Sequence, residues 1–190
     1  AHIDADHRAG GSVFSPSILL WLLCAAAGGA TVAAIEVGAV ALALTFGYEP
    51  ALAILFTVPL CLTAVAGGIW VSVRNRMAMR TAVLGHLIVM TLGAALAAFN
   101  LSVATTVVAT ILIGSSMAPL STYYSLVLDK LAPAQRRAEV FALLRTANAT
   151  GVIFTSAVLT VVSLSVALIV VTGLMIVATL AQLARGLLGP

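Results

Sequence analysis

Glu36 stands well inside an apolar run of this 190-residue chain, where a carboxylate is costly unless it is neutral, paired or wet. Such a group could take up and release a proton or meet a polar substrate. Alternatively, at about 28 Å along a helix that begins near Ser17, it could simply reach interfacial water. The other reactive residue types offer less. Ser115 or Ser116 with His86 would form a nucleophile and base only if they faced one another in a wet cavity. His86 lies near the start of its helix, which argues against that pairing. His2, Asp4, Asp6 and His7 are metal-ligating types, but a polar segment without fixed geometry does not preorganise a site. Cys24 and Cys61 fall in apolar segments without CxxC spacing and read as packing residues. The absence of a phosphate-binding loop, a dinucleotide loop and an HExxH run leaves no expected cofactor or metal and no enzyme activity.

The elements that position these residues are membrane helices. With 62% hydrophobic and 8% charged residues, the chain has too little polar surface for a water-soluble domain of its length. The fold expected is all-α, a polytopic bundle of six transmembrane helices. Residues 1–16 read as a polar cytoplasmic linker, cut from a longer chain, and residues 17–185 as the bundle. The first span, residues 17–46, would be about 45 Å long against a ~30 Å hydrocarbon layer, so it must tilt or bend, with Gly28 and Gly29 as the place to do so. Pro50 opens the second span at a favoured first-turn position, and Pro59 within it is a tolerated kink. The third span ends at Phe99. The fourth, residues 101–128, is expected to kink at Pro119, the fifth reaches Val162, and the sixth covers residues 165–184. Arg137, Val140, Phe141 and Leu144 share a helical face, expected to form a short interfacial helix that lays that face against the membrane.

Charge fixes the topology. Arg8, then Arg74, Arg76 and Arg80, then Lys130, Arg136, Arg137 and Arg145, then Arg185 make up all nine Lys and Arg residues, and a six-span count puts every one on the same side. Random placement would do this about 0.4% of the time, so both termini are expected to be cytoplasmic in a plasma (inner) membrane. A net charge of +3 in short loops is a topology signal and not a nucleic-acid footprint. Spans one to three and four to six are of near-equal length, and odd-numbered triplets in series must be inverted, as in the nested repeats of secondary transporters.

The run Gly114, Ala118, Pro119 and Tyr124, followed by Leu126, Val127, Asp129, Leu131, Ala132 and Pro133, resembles the tenth helix and following loop of major facilitator superfamily (MFS) transporters. Arg137, Glu139, Phe141, Thr146 and Gly151 continue the resemblance into the eleventh helix, Glu36, Val37, Ala41 and Ala43 resemble the seventh, and Gly67, Gly68, Ile69 and Trp70 resemble the end of the eighth. The cytoplasmic loop motif is degenerate, because Val71 or Ser72 stands where the family has Asp. The resemblance implies the C-terminal half of a twelve-helix transporter, similar to bacterial drug or sugar exporters. On that footing the chain exports a small molecule by alternating access. Its partners would be an N-terminal half, membrane lipid, the substrate and protons. Glu36, Thr31, Ser115, Ser116 and Tyr123 would line the cavity, with Asn148 bonding a neighbouring helix or touching substrate. Arg74, Arg76, Arg80, Asp129, Arg136, Arg137 and Glu139 would form the cytoplasmic loops. The alternative is a six-helix assembly subunit of a membrane complex, without transport of its own.

Overall fold

A computed structural model describes residues 15–74 and 80–187. Residues 1–14 of the linker, with the His and Asp residues and Arg8, lie outside the described residues, as does Arg76. Among the described residues there are seven α-helices and no strand: α1 (Pro16–Glu36), α2 (Ala39–Thr45), α3 (Ile54–Arg74), α4 (Arg80–Phe99), α5 (Val103–Leu131), α6 (Arg137–Val161) and α7 (Leu164–Leu187). Six helices are long and apolar enough to cross a membrane, all except α2.

Local chemistry sets the helix ends. The Ser15 hydroxyl accepts a hydrogen bond from the Ile18 N–H at 3.3 Å, with Pro16 in the first turn of α1. Ser102 and Thr105 form a reciprocal capping box at the start of α5. The first apolar run does bend, but at Val37 and Gly38 and not at Gly28 and Gly29. There a charged residue meets a poor helix former, whereas Gly28 and Gly29 sit inside a continuous helix against Met90 and Asn148. Pro50 opens a 3-10 turn, Pro50–Ala53, and the α-helix starts after it. α5 runs unbroken through Pro119. The expected separate interfacial helix is absent: a single 3-10 turn, Ala134–Arg136, leads straight into α6. Nor does its face meet the membrane as a whole, because Val140 is buried with Ile18, Leu128 and Ala132.

Successive spans along the chain alternate in direction. Ile18 clusters with Val140, and the Thr155 hydroxyl donates to the Ala30 carbonyl at 3.1 Å, so α1 and α6 run parallel. Leu60 and Thr63 meet Gly114, and Gly67 meets Ser115, so α3 and α5 also run parallel. The pair α1 and α7 is antiparallel, with Arg185 donating to Ser17 at one end and Cys24 meeting Ala178 and Gln182 further in. α4 and α7 are antiparallel as well, linked by Thr91 with Thr179 at 2.9 Å and by Thr172 donating to the Ala94 carbonyl at 3.0 Å. Inside lipid, such hydroxyl bonds and close backbone approach hold helices together, because hydrophobic burial gives no advantage there. At Gly151 an added Cβ would collide with the Ala26 carbonyl, and at Gly114 it would collide with Leu60 and Thr63. Large apolar side chains such as Leu62, Val65, Ile153 and Val161 are correspondingly exposed, as a lipid-facing surface requires. Cys24 is a packing residue as expected, but Cys61 is exposed on α3.

The alternation gathers the charges. Arg74 at the end of α3, Arg80 at the start of α4, Lys130 near the end of α5, Arg136 and Arg137 before and at the start of α6, and Arg185 near the end of α7 share one end of the bundle. Glu36, Glu49, Asn100 and Ser163 mark the other.

Candidate functional site

Three helices open a groove along one side of the bundle. α1 lines it with Ala25, Gly28, Gly29, Val32, Ala33 and Glu36, and α5 with Met117, Leu120, Ser121, Tyr124 and Ser125. Both sets follow the three-and-four spacing of a single helix face. α6 supplies Leu144, Arg145, Asn148 and Val152, and Met90 of α4 forms part of the wall. The cavity volume is about 400 Å³, which is within the range of small-molecule sites.

The small residues of α1 make the space. A Cβ at Gly29 would lie 2.6 Å from the Asn148 carbonyl oxygen Oδ1, so Asn148 rests directly on the α1 backbone. Glu36 ends α1 and is exposed at one end of the groove, a placement that accords with the reading of it as a residue near the end of its helix. Since Ile18 lies beside Val140 and Ala30 beside Thr155, Arg145 is level with about Leu23 of α1. That is roughly thirteen residues, or about 20 Å, from Glu36. The groove therefore has a carboxylate at one end and a guanidinium towards the other, with hydroxyls, an amide and thioethers between.

Hydroxyl satisfaction differs from residue to residue. Ser121 donates to the Ala118 carbonyl and Ser125 to the Ser121 carbonyl, each at 3.0 Å. Tyr124 is 5% exposed, and its hydroxyl has no hydrogen-bond partner. Its ring packs on Trp21 with centroids 5.8 Å apart.

Of the residues the sequence singled out, Glu36 and Asn148 line the groove. Thr31 is buried and donates to the Ala27 carbonyl of its own helix at 2.8 Å; it borders a small void between α1, α4, α5 and α7. Ser115 donates to the Leu112 carbonyl at 3.0 Å on the side of α5 that meets α3. Ser116 is fully buried without a partner, outside the groove. Tyr123 packs on Trp21 at 5.7 Å and leaves the groove to its neighbour Tyr124. Ser121, Ser125, Tyr124 and Arg145 were missed as lining residues, although the stripe from Met117 to Ser125 follows helical spacing that the sequence displays. His86, for its part, bonds the Ala82 carbonyl and packs on Trp70, on a different helix pair from Ser115. In the loops, Arg136 pairs with Glu139 at 3.0 Å and Arg137 with Asp129 at 3.5 Å. Arg74 and Arg80 are placed by their backbone alone.

Six apolar helices packed by small residues and hydroxyls define the chain as a helical membrane protein. No protein-family model and no curated protein sequence matches it.

Proposed function

We infer that the chain is one six-helix half of a secondary transporter that works by alternating access, and that the groove is its wall of the substrate path. The observation that carries this reading is the groove itself: a lateral opening of about 400 Å³ with polar groups from three membrane helices, a costly arrangement unless water and a ligand use it. The packing lends support. Spans two and four pair as spans five and one do, spans three and four pair as six and one do, and three meets six. Exchanging the triplets maps this pattern onto itself, as two inverted repeats require. The basic end is cytoplasmic in this reading, with both termini there, in a plasma membrane. A second six-helix body supplies the facing wall, and Glu36 serves proton coupling or substrate contact. The cargo is a small amphiphile moving outward.

The test is reconstitution into liposomes with a proton gradient and a panel of amphiphilic dyes. The chain alone should insert and carry nothing. Supplied with its second half it should give saturable, gradient-dependent flux that Ser121→Trp, which fills the groove, abolishes. Saturable flux from the chain alone would make it a complete, dimerising carrier; no flux from either leaves an assembly subunit. For orientation, single cysteines at Tyr48, Asn100 and Ser163 should react with an impermeant thiol reagent in intact cells, and one at Gln135 should not.

A further inference from the structure

We propose that the end of the groove nearest the basic face is a subsite for an anionic head group, a phosphate, sulfate or carboxylate on an apolar tail, held by Arg145 and Tyr124. The inference rests on the groove being a ligand site, and it names the chemistry that the ligand must carry.

Arg145 differs from Arg136, Arg137 and Arg185, the other arginines of the basic end whose side chains are described. Arg136 and Arg137 are neutralised by Glu139 and Asp129, and Arg185 donates to Ser17. Arg145 lines the groove and has no ion pair among the described residues. The carboxylate that shares the groove, Glu36, is about 20 Å away along the helix axes, too far to compensate it. A guanidinium offers a fork of donors suited to oxyanions.

The second observation is independent of charge. Tyr124 is buried and lines the same groove, yet its hydroxyl bonds to nothing. A buried hydroxyl without a partner is destabilising, so the position is better explained by a bond completed from outside the chain. Trp21 packs on Tyr124, and Trp21 and Leu144, which adjoins Arg145, both pack on the Ile18, Leu128 and Val140 cluster. Tyr124 and Arg145 therefore belong to one level of the bundle. Beyond them the walls turn apolar, with Met90, Met117, Leu120 and Val32 offering a bed for a tail that points towards Glu36. An arginine that merely snorkels to the interface would require no unpartnered hydroxyl beside it.

The source of the head group is either a bilayer lipid or a free amphiphile, and both present the same chemistry. Radiolabelled dodecyl phosphate is titrated onto the complete protein in phosphatidylcholine nanodiscs, with empty discs as baseline. Dodecyltrimethylammonium and dodecyl maltoside serve as cationic and neutral competitors. Arg145→Gln should weaken binding about tenfold or more, and Arg145→Lys should restore part of it. Tyr124→Phe should weaken binding several-fold while raising thermal stability, a pairing that a purely structural tyrosine would not give. Arg136→Gln, in the paired loop, should change nothing. In a Trp70→Phe background, emission from Trp21 should respond to dodecyl phosphate. Displacement of the probe in discs containing phosphatidylglycerol identifies lipid as the occupant; persistence identifies a free amphiphile. Equal competition by the cationic amphiphile, or unchanged binding in Arg145→Gln, overturns the proposal. Because binding is read without flux, head-group selectivity in a protein that transports nothing would retain this subsite and remove the transporter reading.

Discussion

α3 and α6 are the two least buried spans of the bundle, equally so, yet their mean hydropathy is 2.2 and 1.3. Each runs parallel to the helix it packs on most, α5 and α1 respectively, and each contact relies on a glycine, Gly114 and Gly151. The outward faces diverge. α3 presents Leu62, Val65, Ile69 and Val73, an apolar surface at ease in hydrocarbon. α6 also presents Ile153, Phe154 and Val161, but along its groove edge it carries Arg145 and Asn148, which are not at ease there. Equal exposure thus conceals different neighbours: lipid for α3, and, besides lipid, water, ligand or another protein surface along the groove edge of α6.

The shared device is the place to break both pairs. At Gly151 the missing side chain is replaced by the Ala26 backbone, which cannot move without displacing α1. Gly151→Val should cost more than about 4 kcal/mol and abolish monodisperse protein after detergent extraction. Gly114→Val, facing the Leu60 carbonyl, should do the same. Retention of folded protein in either variant would show that the helices can separate at little cost.

A charge placed on each outward face sharpens the contrast. Leu62, 65% exposed, should meet lipid, so Leu62→Lys should cost roughly 3 kcal/mol of insertion free energy, read as a fall in the membrane-integrated fraction. Val152 lines the groove that already admits Glu36 and Arg145, and Val152→Lys should integrate almost as well as wild type. Equal losses would mean that the groove side of α6 faces lipid too.

Much of this contrast was legible in the sequence. Span count, basic asymmetry and the polar residues of the fifth span all follow from composition along the chain. What composition cannot supply is rotation about a helix axis. Tyr123 and Tyr124 differ by one position, about 100° of rotation, and only Tyr124 enters the groove. The sequence points to Ser115 and Ser116, whereas Ser121 and Ser125 line the groove. Val140 reads as a lipid-facing residue until Ile18 and Leu128 are brought against it by long-range packing. Glu36 is conspicuous at any rotation as a carboxylate in an apolar run, but Gly28, Gly29 and Gly38 are alike in sequence, and only Gly38 adjoins a break in the helix.

Glu36 allows the next test. At one end of the groove it should affect coupling without supporting the fold, so Glu36→Gln should lower gradient-driven flux about tenfold with expression unchanged. Flux equal to wild type across several pH values would leave it as an interfacial anchor.

The smallest effect concerns how the two parallel seams are stitched. Thr155 of α6 is fully buried and donates across the seam to the Ala30 carbonyl at 3.1 Å. Thr63 of α3 faces Gly114 in the same manner, but its hydroxyl returns to its own helix, to the Pro59 carbonyl at 2.7 Å and the Leu60 carbonyl at 3.1 Å. The buried hydroxyl therefore bonds one seam between helices, whereas at Thr63 the hydroxyl of the other seam stays within α3. Replacement by valine keeps the shape and removes the hydroxyl. Thr155→Val should lower stability by about 0.6 kcal/mol, the average for an interhelical hydrogen bond in lipid. Thr63→Val should cost less, since its bonds hold no second helix. Steric-trap or mild-denaturant unfolding in bicelles resolves such a difference when the two variants are measured side by side. If Thr63→Val proved the more damaging, the seam next to lipid would depend on the bonding around Pro59, and the seam beside the groove on the fit of Gly151 against α1.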